Sequence, residues 1–506
     1  MSSRIHSIID YGSTGLQVDV ECHLSKGLPT MVIVGLANKA VDEAKERLRG
    51  AFTNIDLPLP RKRITVNLAP GDVPKDSTSF DLAIATAIMF AGKLVKPSDL
   101  DKCIFIGELG LDGTIRPVRG IIGKVLAGRA LGFSKFFIPV GNSIQARMIP
   151  GIEIVACPNL KDIYLHFNDT VKLKTLVTGP GLVVARGSRA GFGEDFSQVV
   201  GQKRAKRALE IAAAGAHNVM LSGPPGTGKS MLAKAMPSIL PNMSQEEILE
   251  VTHIHSLSSK QYDTVILDRP FRSPHHSSSD IAIIGGGSHP KPGEISLAHR
   301  GILFMDEFPE FTRPTIEALR QPLEDRVITV ARARDSMVFP AEFILIATAN
   351  PCPCGYYESS KECSCQPYQI ANYQRRVSGP VIDRIDMYVE VEEIIHHDLL
   401  GPGDHERSSV VAERVRSARG LQTSRFGSKT LTNSSMSNRD IKKIGRLSAE
   451  AKDFLDNAAA KLGISARHYM RAIKVARTIA DLEKSSEILQ PHIAEALQYR
   501  KRTTNI

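Results

Sequence analysis

Tryptophan is absent from the 506-residue sequence, and aromatic residues as a class make up only 6% of it. The most basic stretch, residues 407–447, contains Phe426 but no series of aromatic side chains. Proteins that hold single-stranded nucleic acid commonly stack successive bases on such a series. The composition therefore does not favour a stacking platform for single strands.

Cysteine is also scarce, and long apolar runs are missing. Seven cysteines are too few for a disulfide scaffold in a chain of this length. No run approaches the roughly 18 apolar residues that a membrane helix requires. The segment MSSRIHSIIDYG lacks the apolar core of a secretory signal. We therefore expect a cytoplasmic protein without a membrane partner.

The remaining composition is that of a globular protein. Hydrophobic residues make up 42% and charged residues 23%, which argues against disordered and collagen-like chains. At about 100–200 residues per domain, the length predicts about three domains. Lysine and arginine number 64 against 54 acidic residues, and the net charge of +10 makes a polyanionic partner worth testing.

Strand and helix patterns divide the chain into a multidomain α/β protein. Alternating patterns predict one α/β domain over residues 1–170 and a second over residues 196–395. Between them, residues 171–195 mix glycine, serine and basic residues as a linker does. Residues 396–506 carry helical patterns alone and predict a third, helical domain.

The second domain and the helical domain contain the clearest elements. We expect a helix over 203–214, followed by strands over 218–222, 301–305 and 342–347. In the helical domain, the patterns predict helices over 410–419, 438–444, 449–462, 466–482 and 491–501.

The run GPPGTGKS follows an apolar strand and precedes a helix, which is the context of a nucleotide phosphate loop. Backbone amides of such a loop face the phosphates, Lys229 reaches the β- and γ-phosphates, and the Ser230 hydroxyl is a ligand for Mg²⁺. The alternative is a structural glycine-rich turn. The residues assigned to this loop are Gly223, Pro224, Pro225, Gly226, Thr227, Gly228, Lys229 and Ser230.

Two further strand ends carry polar residues. ILFMDE ends in Asp306 and Glu307, and both carboxylates are expected at the carboxyl edge of a parallel sheet. Asp306 suits a role in holding Mg²⁺, and Glu307 suits the polarisation of an attacking water. FILIATAN ends at Asn350, whose amide suits holding that water or sensing the γ-phosphate. Without the phosphate loop, an apolar run ending in Asp-Glu is more often an ordinary strand end.

Two arginines are candidates for stabilising charge during phosphoryl transfer. Arg384 lies in SGPVIDRIDMYVEV, and Arg467 lies in GISARHYMRAIKVARTIADL. An arginine supplied by a neighbouring subunit can stabilise this charge. A surface ion pair is an equally good interpretation of each from the sequence alone.

Six ordered segments together resemble one known family: DFSQVVGQ, GPPGTGKS, ILFMDE, ATANPCPCG, SGPVIDRID and SARHYMRAIKVARTIADL. They resemble the magnesium-chelatase-like AAA+ ATPases of the YifB/ComM type along essentially the whole chain. The resemblance implies a ring-forming, hexameric ATPase that uses ATP and Mg²⁺, with a helical lid over residues 396–506. This family also includes helicase-like proteins that remodel branched DNA.

The same resemblance assigns roles to individual positions. It makes Gly223–Ser230 the Walker A loop, and Asp306 with Glu307 the Walker B pair. Asn350 becomes sensor 1, Arg384 the arginine finger and Arg467 sensor 2.

Four cysteines fall within fourteen positions, as Cys352-x-Cys354 and Cys363-x-Cys365. Four thiolates in one short loop suit a tetrahedral structural Zn²⁺ site that has no open coordination position. Reduced thiols without a metal and redox pairs are alternatives, and nothing in the sequence supports an iron–sulfur cluster.

The first domain resembles the proteolytic, S5-like domain of Lon proteases, in its ChlI-type form. The segments NLAPGDVPKDSTSFDLAIATA and GELGLDGTIRPVRGIIGKVLAGRALGFSKFFIP carry the resemblance. It places Ser79 at the position of the catalytic serine, but the position of the lysine base falls on Ile122, with Lys124 two residues later. A serine without its base is an ordinary hydroxyl, so we do not expect proteolysis.

Residues 407–447 contain ten lysines and arginines against two acidic residues, a local charge of +8. Such a segment is either a solvated face or a surface for phosphate backbones that reads no sequence. Arg416, Arg419 and Arg425 are the candidate DNA contacts here. Lys291 is a further candidate, since three consecutive glycines, Gly285–Gly287, and the basic turn His289–Lys291 suit a pore loop. His275 and His276 are expected to be structural.

The sequence thus predicts an ATP-driven ring that translocates on DNA, with helicase-like action on branched or recombining DNA. The alternative is an ATPase that remodels a protein partner or assists a chelatase without binding nucleic acid.

Overall fold

The computed structural model of the chain describes residues 2–11, 14–35, 43–71, 75, 78–176, 178–179, 194–258, 264–287, 290–331, 336–377, 379–393 and 406–501. Two compact units are present. The first comprises residues 1–186 and 248–266, and the second comprises residues 187–247 and 267–506. Most of the predicted linker, residues 171–195, lies outside the described residues.

The first unit is built on a mixed sheet of eight strands in the order β10-β9-β8-β5-β1-β2-β4-β3. Its strands are β1 Ser2–Tyr11, β2 Thr14–Ser25, β3 Met31–Val34, β4 Arg63–Ala69, β5 Cys103–Phe105, β8 Lys135–Pro139, β9 Glu153–Cys157 and β10 Thr175–Leu176, with a separate hairpin of β6 Glu108–Leu109 and β7 Ile115–Arg116. Its helices are α1 Ala44–Asn54, α2 Asp81–Ala91, α3 Ile121–Ala130, α4 Ser143–Ala146 and α5 Leu160–Phe167.

The predicted protease positions of this unit lie in its interior. Ser79 occupies a short 3₁₀ turn before α2 and is 0% exposed. Ile122, at the lysine position, is also 0% exposed, because it belongs to an apolar cluster of α3. Lys124 is 1% exposed, and its Nζ donates to the carbonyl oxygen of Arg119 at 2.9 Å.

The second unit contains a sheet of five parallel strands in the order β12-β15-β18-β11-β19. Its strands are β11 Val219–Ser222, β12 Phe271–Arg272, β15 Ile302–Met305, β18 Ile344–Ala349 and β19 Met387–Glu390, with the hairpins β13 Gly285–Gly286 with β14 Lys291–Pro292 and β16 Val327–Ala331 with β17 Ser336–Pro340. The helices along this part of the chain are α6 Lys203–Gly215, α7 Lys229–Ala235, α8 Gln245–Ser258, α9 Asp280–Ile284, α10 Glu294–Leu297, α11 Arg313–Ala318, α12 Arg320–Asp325, α13 Pro367–Arg375 and α14 Gly379–Ile382.

The central strands are apolar along their length because both faces of the sheet are covered. All four residues of β15 are buried, and five of the six residues of β18 are buried. Continuous apolar runs of this kind are typical of parallel sheets. This pattern allows the polar residues that follow each strand to gather at one edge.

The end of the chain is helical, as the sequence predicts, with α15 Ser408–Phe426, α16 Asn438–Ile444, α17 Ala449–Leu462, α18 Ala466–Leu482 and α19 Gln490–Gln498. These helices share one apolar cluster with the five-stranded sheet, through Val415, Ile479 and Val389 among others. They therefore belong to the same compact unit as the sheet. No helix among the described residues is long and apolar enough to cross a membrane.

Residues 248–266 fall within the range that the sequence assigns to the second domain, but they pack in the first unit. Val251 and Ile254 of α8 are 0% and 1% exposed, and Leu249 packs against the apolar cluster of α3. Gly123 of α3 permits the approach, because a Cβ atom there would lie 2.3 Å from the His253 ring. Local helix periodicity carries no information about which core a helix joins.

Candidate functional site

The phosphate loop, Gly223–Ser230, connects β11 to α7. Gly226 and Gly228 have φ angles of 83° and 85°, in the left-handed region that favours glycine. At Gly223 a Cβ atom would lie 2.2 Å from the carbonyl oxygen of Val391, so the loop packs against the end of β19. Three glycines thus set the path of the loop at the amino terminus of a helix, where an anion is favoured.

Lys229 is held inside this loop. Its Nζ donates to the carbonyl oxygens of Gly223 and Pro224, each at 2.7 Å, and lies 3.3 Å from Asn350 Oδ1. Burial lowers the pKa of the ammonium group, while the charges of Asp306 and Glu307 act in the opposite direction. Lys229 and Asn350, two predicted site residues that lie 121 positions apart in the sequence, are therefore in direct contact.

Ser230 and Asp306, the pair expected to hold Mg²⁺, are hydrogen-bonded. The Ser230 hydroxyl donates to Asp306 Oδ2 at 2.9 Å. A hydroxyl and a carboxylate in contact at a phosphate loop are the oxygen ligands that nucleotide-bound Mg²⁺ takes in P-loop enzymes. The donor set therefore fits Mg²⁺.

Thr348 connects this pair to the next carboxylate. Its hydroxyl donates to Asp306 Oδ1 and accepts the backbone N–H of Glu307 at 2.9 Å. Thr348 is 1% exposed on β18, beside β15 in the sheet. Sequence analysis missed this residue. The only available signal is a threonine within the apolar run FILIATAN.

Glu307 turns out of the sheet at the end of β15. Its φ angle is 51°, in the left-handed region, and its side chain is 53% exposed. One carboxylate oxygen lies 3.6 Å from His276 Nδ1. The exposed carboxylate is placed to meet water, and His276 is a neighbour that sequence analysis did not assign to the site.

The four clustered cysteines come together as predicted. Their sulfur atoms all lie within 4.8 Å of one another. Cys352 Sγ is 3.3 Å from Cys354 Sγ and 3.7 Å from Cys363 Sγ, and Cys354 and Cys363 are 3.5 Å apart. Four thiolates around Zn²⁺, each at about 2.3 Å, would be separated by about 3.8 Å. The geometry fits a Cys₄ metal site.

Two backbone N–H groups point at these sulfurs, from Tyr357 to Cys352 at 3.3 Å and from Cys354 to Cys365 at 3.4 Å. The same loop touches the phosphate loop. At Gly355, whose φ is 87°, a Cβ atom would lie 2.7 Å from Pro225. The cysteine loop and the phosphate loop are thus in van der Waals contact.

Arg384 lies at the opposite edge of the sheet from the phosphate loop. It precedes β19, and its carbonyl oxygen accepts from the side chain of Asn218, which precedes β11, at 3.3 Å. The four residues of β11 span about 13 Å between this edge and the phosphate loop. The guanidinium group donates to the carbonyl oxygen of Pro380 at 2.6 Å and forms an ion pair with Glu324.

Arg467 belongs to the same end of the unit. Arg384 first, then Arg467 and Arg320, hold the pKa of the Glu324 carboxyl below its ordinary value. One turn after Arg467, Arg471 donates to the carbonyl oxygen of Ile385 at 3.0 Å. The structure therefore groups the two predicted arginines with each other, at the edge opposite to the phosphate loop.

The candidate DNA contacts divide into surface and interior residues. Arg416 is 67% exposed beside Glu413, and Lys291 is exposed on β14. Arg425 is paired with Asp481, which is 0% exposed, and Arg419 donates to the carbonyl oxygen of Ala213 at 3.0 Å.

The local charge of +8 is therefore partly neutralised by acids outside this segment. Arg414, for example, pairs with Glu210 and Glu406. Part of the predicted basic turn, His289, lies outside the described residues.

Comparisons with known proteins agree with these features. Family models described as "Magnesium chelatase, subunit ChlI", "Subunit ChlI of Mg-chelatase" and "Magnesium chelatase, subunit ChlI C-terminal" match residues 195–399, 20–142 and 405–500. The magnesium-chelatase 38 kDa subunit of Cereibacter sphaeroides is 28% identical over 182 residues, 31% of this chain and 52% of that protein.

Other relatives match along nearly the whole length. Competence protein ComM of Haemophilus influenzae is 41% identical over 500 residues, which are 98% of this chain and 97% of that protein. The uncharacterized protein YifB of Escherichia coli is 39% identical over 502 residues, with coverage of 98% and 97%. Together with the phosphate loop and its carboxylates, these matches show that the chain belongs to the magnesium-chelatase-like AAA+ ATPases of the YifB/ComM type.

Proposed function

We propose that the protein is a motor that hydrolyses ATP in a hexameric ring and translocates on branched or recombining DNA in the cytoplasm. One observation carries the ring: the phosphate loop and its carboxylates lie at one edge of the sheet, and Arg384 and Arg467 lie at the other. A single chain thus contains both parts of the site but keeps them apart. Head-to-tail contact between subunits would join the parts at each interface of a closed ring.

The residues at the phosphate loop have separable tasks in this proposal. The loop and Lys229 bind the phosphates, while Ser230 and Asp306 hold Mg²⁺, which when bound neutralises charge on the phosphate oxygens. Glu307 orients a water and accepts its proton, and Asn350 positions that water beside Lys229. Arg384 of the adjacent subunit stabilises the charge that develops on the transferred phosphoryl group, and Arg467 contacts the same nucleotide.

DNA is the proposed track because exposed cations lie on the ATPase unit. Arg416 and Lys291 are available to solvent and belong to no groove-reading motif, which suits contact with phosphates regardless of sequence. Arg425 is left out of this surface because Asp481 engages it in the interior. A relative named for competence is consistent with a DNA substrate. The alternative, action on a protein partner, is favoured by the match to magnesium-chelatase subunits.

We also propose that the first unit has a Lon-like fold without protease activity. Ser79 is fully buried, and fully buried Ile122 stands at the position of the lysine base. Casein should therefore remain intact in the presence of ATP, and its cleavage would contradict this view.

We propose that the four cysteines bind one structural Zn²⁺. Four thiol ligands would complete a tetrahedral shell, which leaves no position for substrate. Because the loop contacts Pro225 and directly follows Asn350, the metal would stiffen both the phosphate loop and the sensor position.

Changes at the phosphate loop and at the carboxylate should separate binding from hydrolysis. Lys229→Ala should abolish ATP binding or turnover because the buried ammonium group is lost. Glu307→Gln should retain ATP but hydrolyse it about 10²–10⁴-fold more slowly, since a proton acceptor is removed while its shape is kept. Nucleotide binding and steady-state phosphate release measure the two effects. Wild-type turnover by Glu307→Gln would show that another group activates the water.

Mixed rings should reveal that Arg384 acts between subunits. Lys229→Ala and Arg384→Ala subunits should each be nearly inactive alone, the latter by about 10³-fold. When the two are co-expressed and purified through distinct tags, about a quarter of randomly assorted interfaces should combine an intact phosphate loop with an intact arginine. Phosphate release by such rings should therefore recover.

Rings of wild-type and doubly substituted subunits provide the matched control, because they contain the same fraction of complete interfaces. Equal rates for the two mixtures are expected. If the first mixture stays inactive while the control hydrolyses ATP, Arg384 acts on the nucleotide of its own chain.

DNA should stimulate ATP hydrolysis. Rates of ATP hydrolysis measured with single-stranded, duplex and branched DNA would show which form is preferred. Binding should weaken steeply between 50 and 200 mM salt, because each neutralised phosphate releases counterions. Arg416→Gln should reduce the salt slope by about one.

Arg49→Gln in the first unit is the matched control, since Arg49 and Glu46 form the same i,i+3 surface pair as Arg416 and Glu413. Flat ATPase rates with no binding at low salt would remove DNA as the track and favour a protein partner.

The purified protein should contain about one zinc per chain. Replacing all four clustered cysteines by serine should remove the metal, lower the melting temperature and slow ATP hydrolysis. Cys103→Ala, outside the cluster, should keep the metal. Elemental analysis and thermal unfolding measure these outcomes, and equal metal content and stability in the four-serine variant would disprove the site.

A further inference from the structure

A cationic cavity of about 580 Å³ lies in the second unit, away from the phosphate loop. Asn218, Gly301 and Ile344 line it, so it sits at the amino ends of β11, β15 and β18. Residues of α15 and α18 form the other wall. Known ligands of open parallel sheets bind at the carboxyl ends of the strands. This cavity is therefore separate from the nucleotide site of the same chain.

Positive charge dominates the lining. Nine arginines and lysines face three carboxylates, and two of the nine, Arg384 and Arg416, pair with Glu324 and Glu413 outside the lining, which leaves an excess of four positive charges. The carboxylates are those of Glu247, Glu342 and Asp386. Ligand pockets commonly have volumes of about 300–1,000 Å³, so a nucleotide-sized anion fits.

The three acids in the lining neutralise only part of its positive charge, because two arginines share one of them. Arg300 and Arg326 both pair with Glu342, at 2.6 and 2.7 Å. Glu247 is engaged by Arg269 through two contacts of 3.1 Å. Arg471 lies 3.8 Å from Asp386, so each of the three acids is paired with an arginine of the cavity wall.

Arg419 and Lys474 face the cavity without a carboxylate partner within ion-pair distance among the described residues. Arg419 donates to the carbonyl oxygen of Ala213, and Lys474 donates to that of Ser434 at 3.0 Å. Burial lowers the pKa of both groups. Arg269 lowers the pKa of Arg419 further, while Glu247 and Glu342 act in the opposite direction. For Lys474, Asp386 raises the pKa, and Arg326 with Arg471 lowers it. A multivalent anion in the cavity would stabilise the charged forms of both groups.

We propose that this cavity binds an oligophosphate anion, that is, two or more adjacent phosphate groups. Arginine forks and ammonium groups are the usual donors to phosphate oxygens. Arg419 and Lys474 supply charge from the wall, and the exposed Lys429 supplies it from solvent. The proposal does not require ATP hydrolysis, although Arg384 and Arg416, to which the motor proposal gives roles, also line the cavity.

Calorimetry with inorganic tripolyphosphate at low salt tests the site. The protein used is the full chain with Lys229→Ala, so that no subunit binds the probe at its phosphate loop. Saturable binding of one equivalent is expected. Adding Arg419→Gln or Lys429→Gln should weaken it at least about 10-fold, the effect of one charged hydrogen bond. Lys429 is exposed, so its substitution leaves folding intact even if that of Arg419 does not.

Lys443→Gln is the matched control, because it removes one exposed positive charge outside the cavity. It should bind tripolyphosphate as the parent does. Absence of binding, or equal weakening by Lys443→Gln and Lys429→Gln, would overturn the proposal.

Competition identifies the source of the phosphates. Displacement by ADP alone assigns the site to a free nucleotide, and displacement by a short single-stranded oligonucleotide assigns it to a nucleic-acid backbone. Displacement by neither leaves inorganic oligophosphate as the ligand.

Discussion

The parallel pairing of β11, β18 and β15 is the constraint on which the rest of the second unit depends. In register, Ser222 lies opposite Ala349, and Met305 lies opposite Ala347. The residues that follow these strands must therefore emerge at one edge. That edge receives the phosphate loop, both carboxylates and Asn350, and the same polarity places Arg384 at the other edge. In the proposed motor, a site divided in this way would favour assembly, because the arginine would come from another copy.

Hydrogen bonds to one buried threonine connect Asp306 with Glu307. Thr348 holds the Asp306 carboxylate with its hydroxyl proton and the Glu307 backbone with its oxygen. A buried hydroxyl that both donates and accepts fixes its neighbours more firmly than a surface contact does. The cysteine loop adds a second restraint, because Gly355 allows it to lie against Pro225. The proposed metal site and the phosphate loop are thus adjacent in space.

The positively charged residues of the second unit fall into three groups. Some arginines stabilise the interior, as Arg425 and Arg477 do with Asp481, which is 0% exposed. Other cations, such as Lys291, remain in solvent. A third group is concentrated around the cavity at the amino edge of the sheet, where shared acids leave an excess of positive charge. The net charge of +10 therefore does not describe one surface.

The sequence by itself determined the local chemistry. The phosphate loop, the carboxylates after ILFM and the four-cysteine loop are recognisable because the necessary residues lie close together along the chain, next to apolar runs of clear period. The family resemblance is confirmed by matches along nearly the whole chain, and α18 has the predicted bounds, Ala466–Leu482.

The tertiary structure decided which distant residues meet. Strand β19 is not predicted, because its four residues acquire their strand character from pairing with β11. The contact of His276 with Glu307, the partner of Arg425, the position of residues 248–266 and the cationic cavity depend on packing between segments far apart in sequence. Periodicity and spacing report which residues are buried or adjacent along the chain, but pairing across the core is decided by the sheet and the helices that cover it.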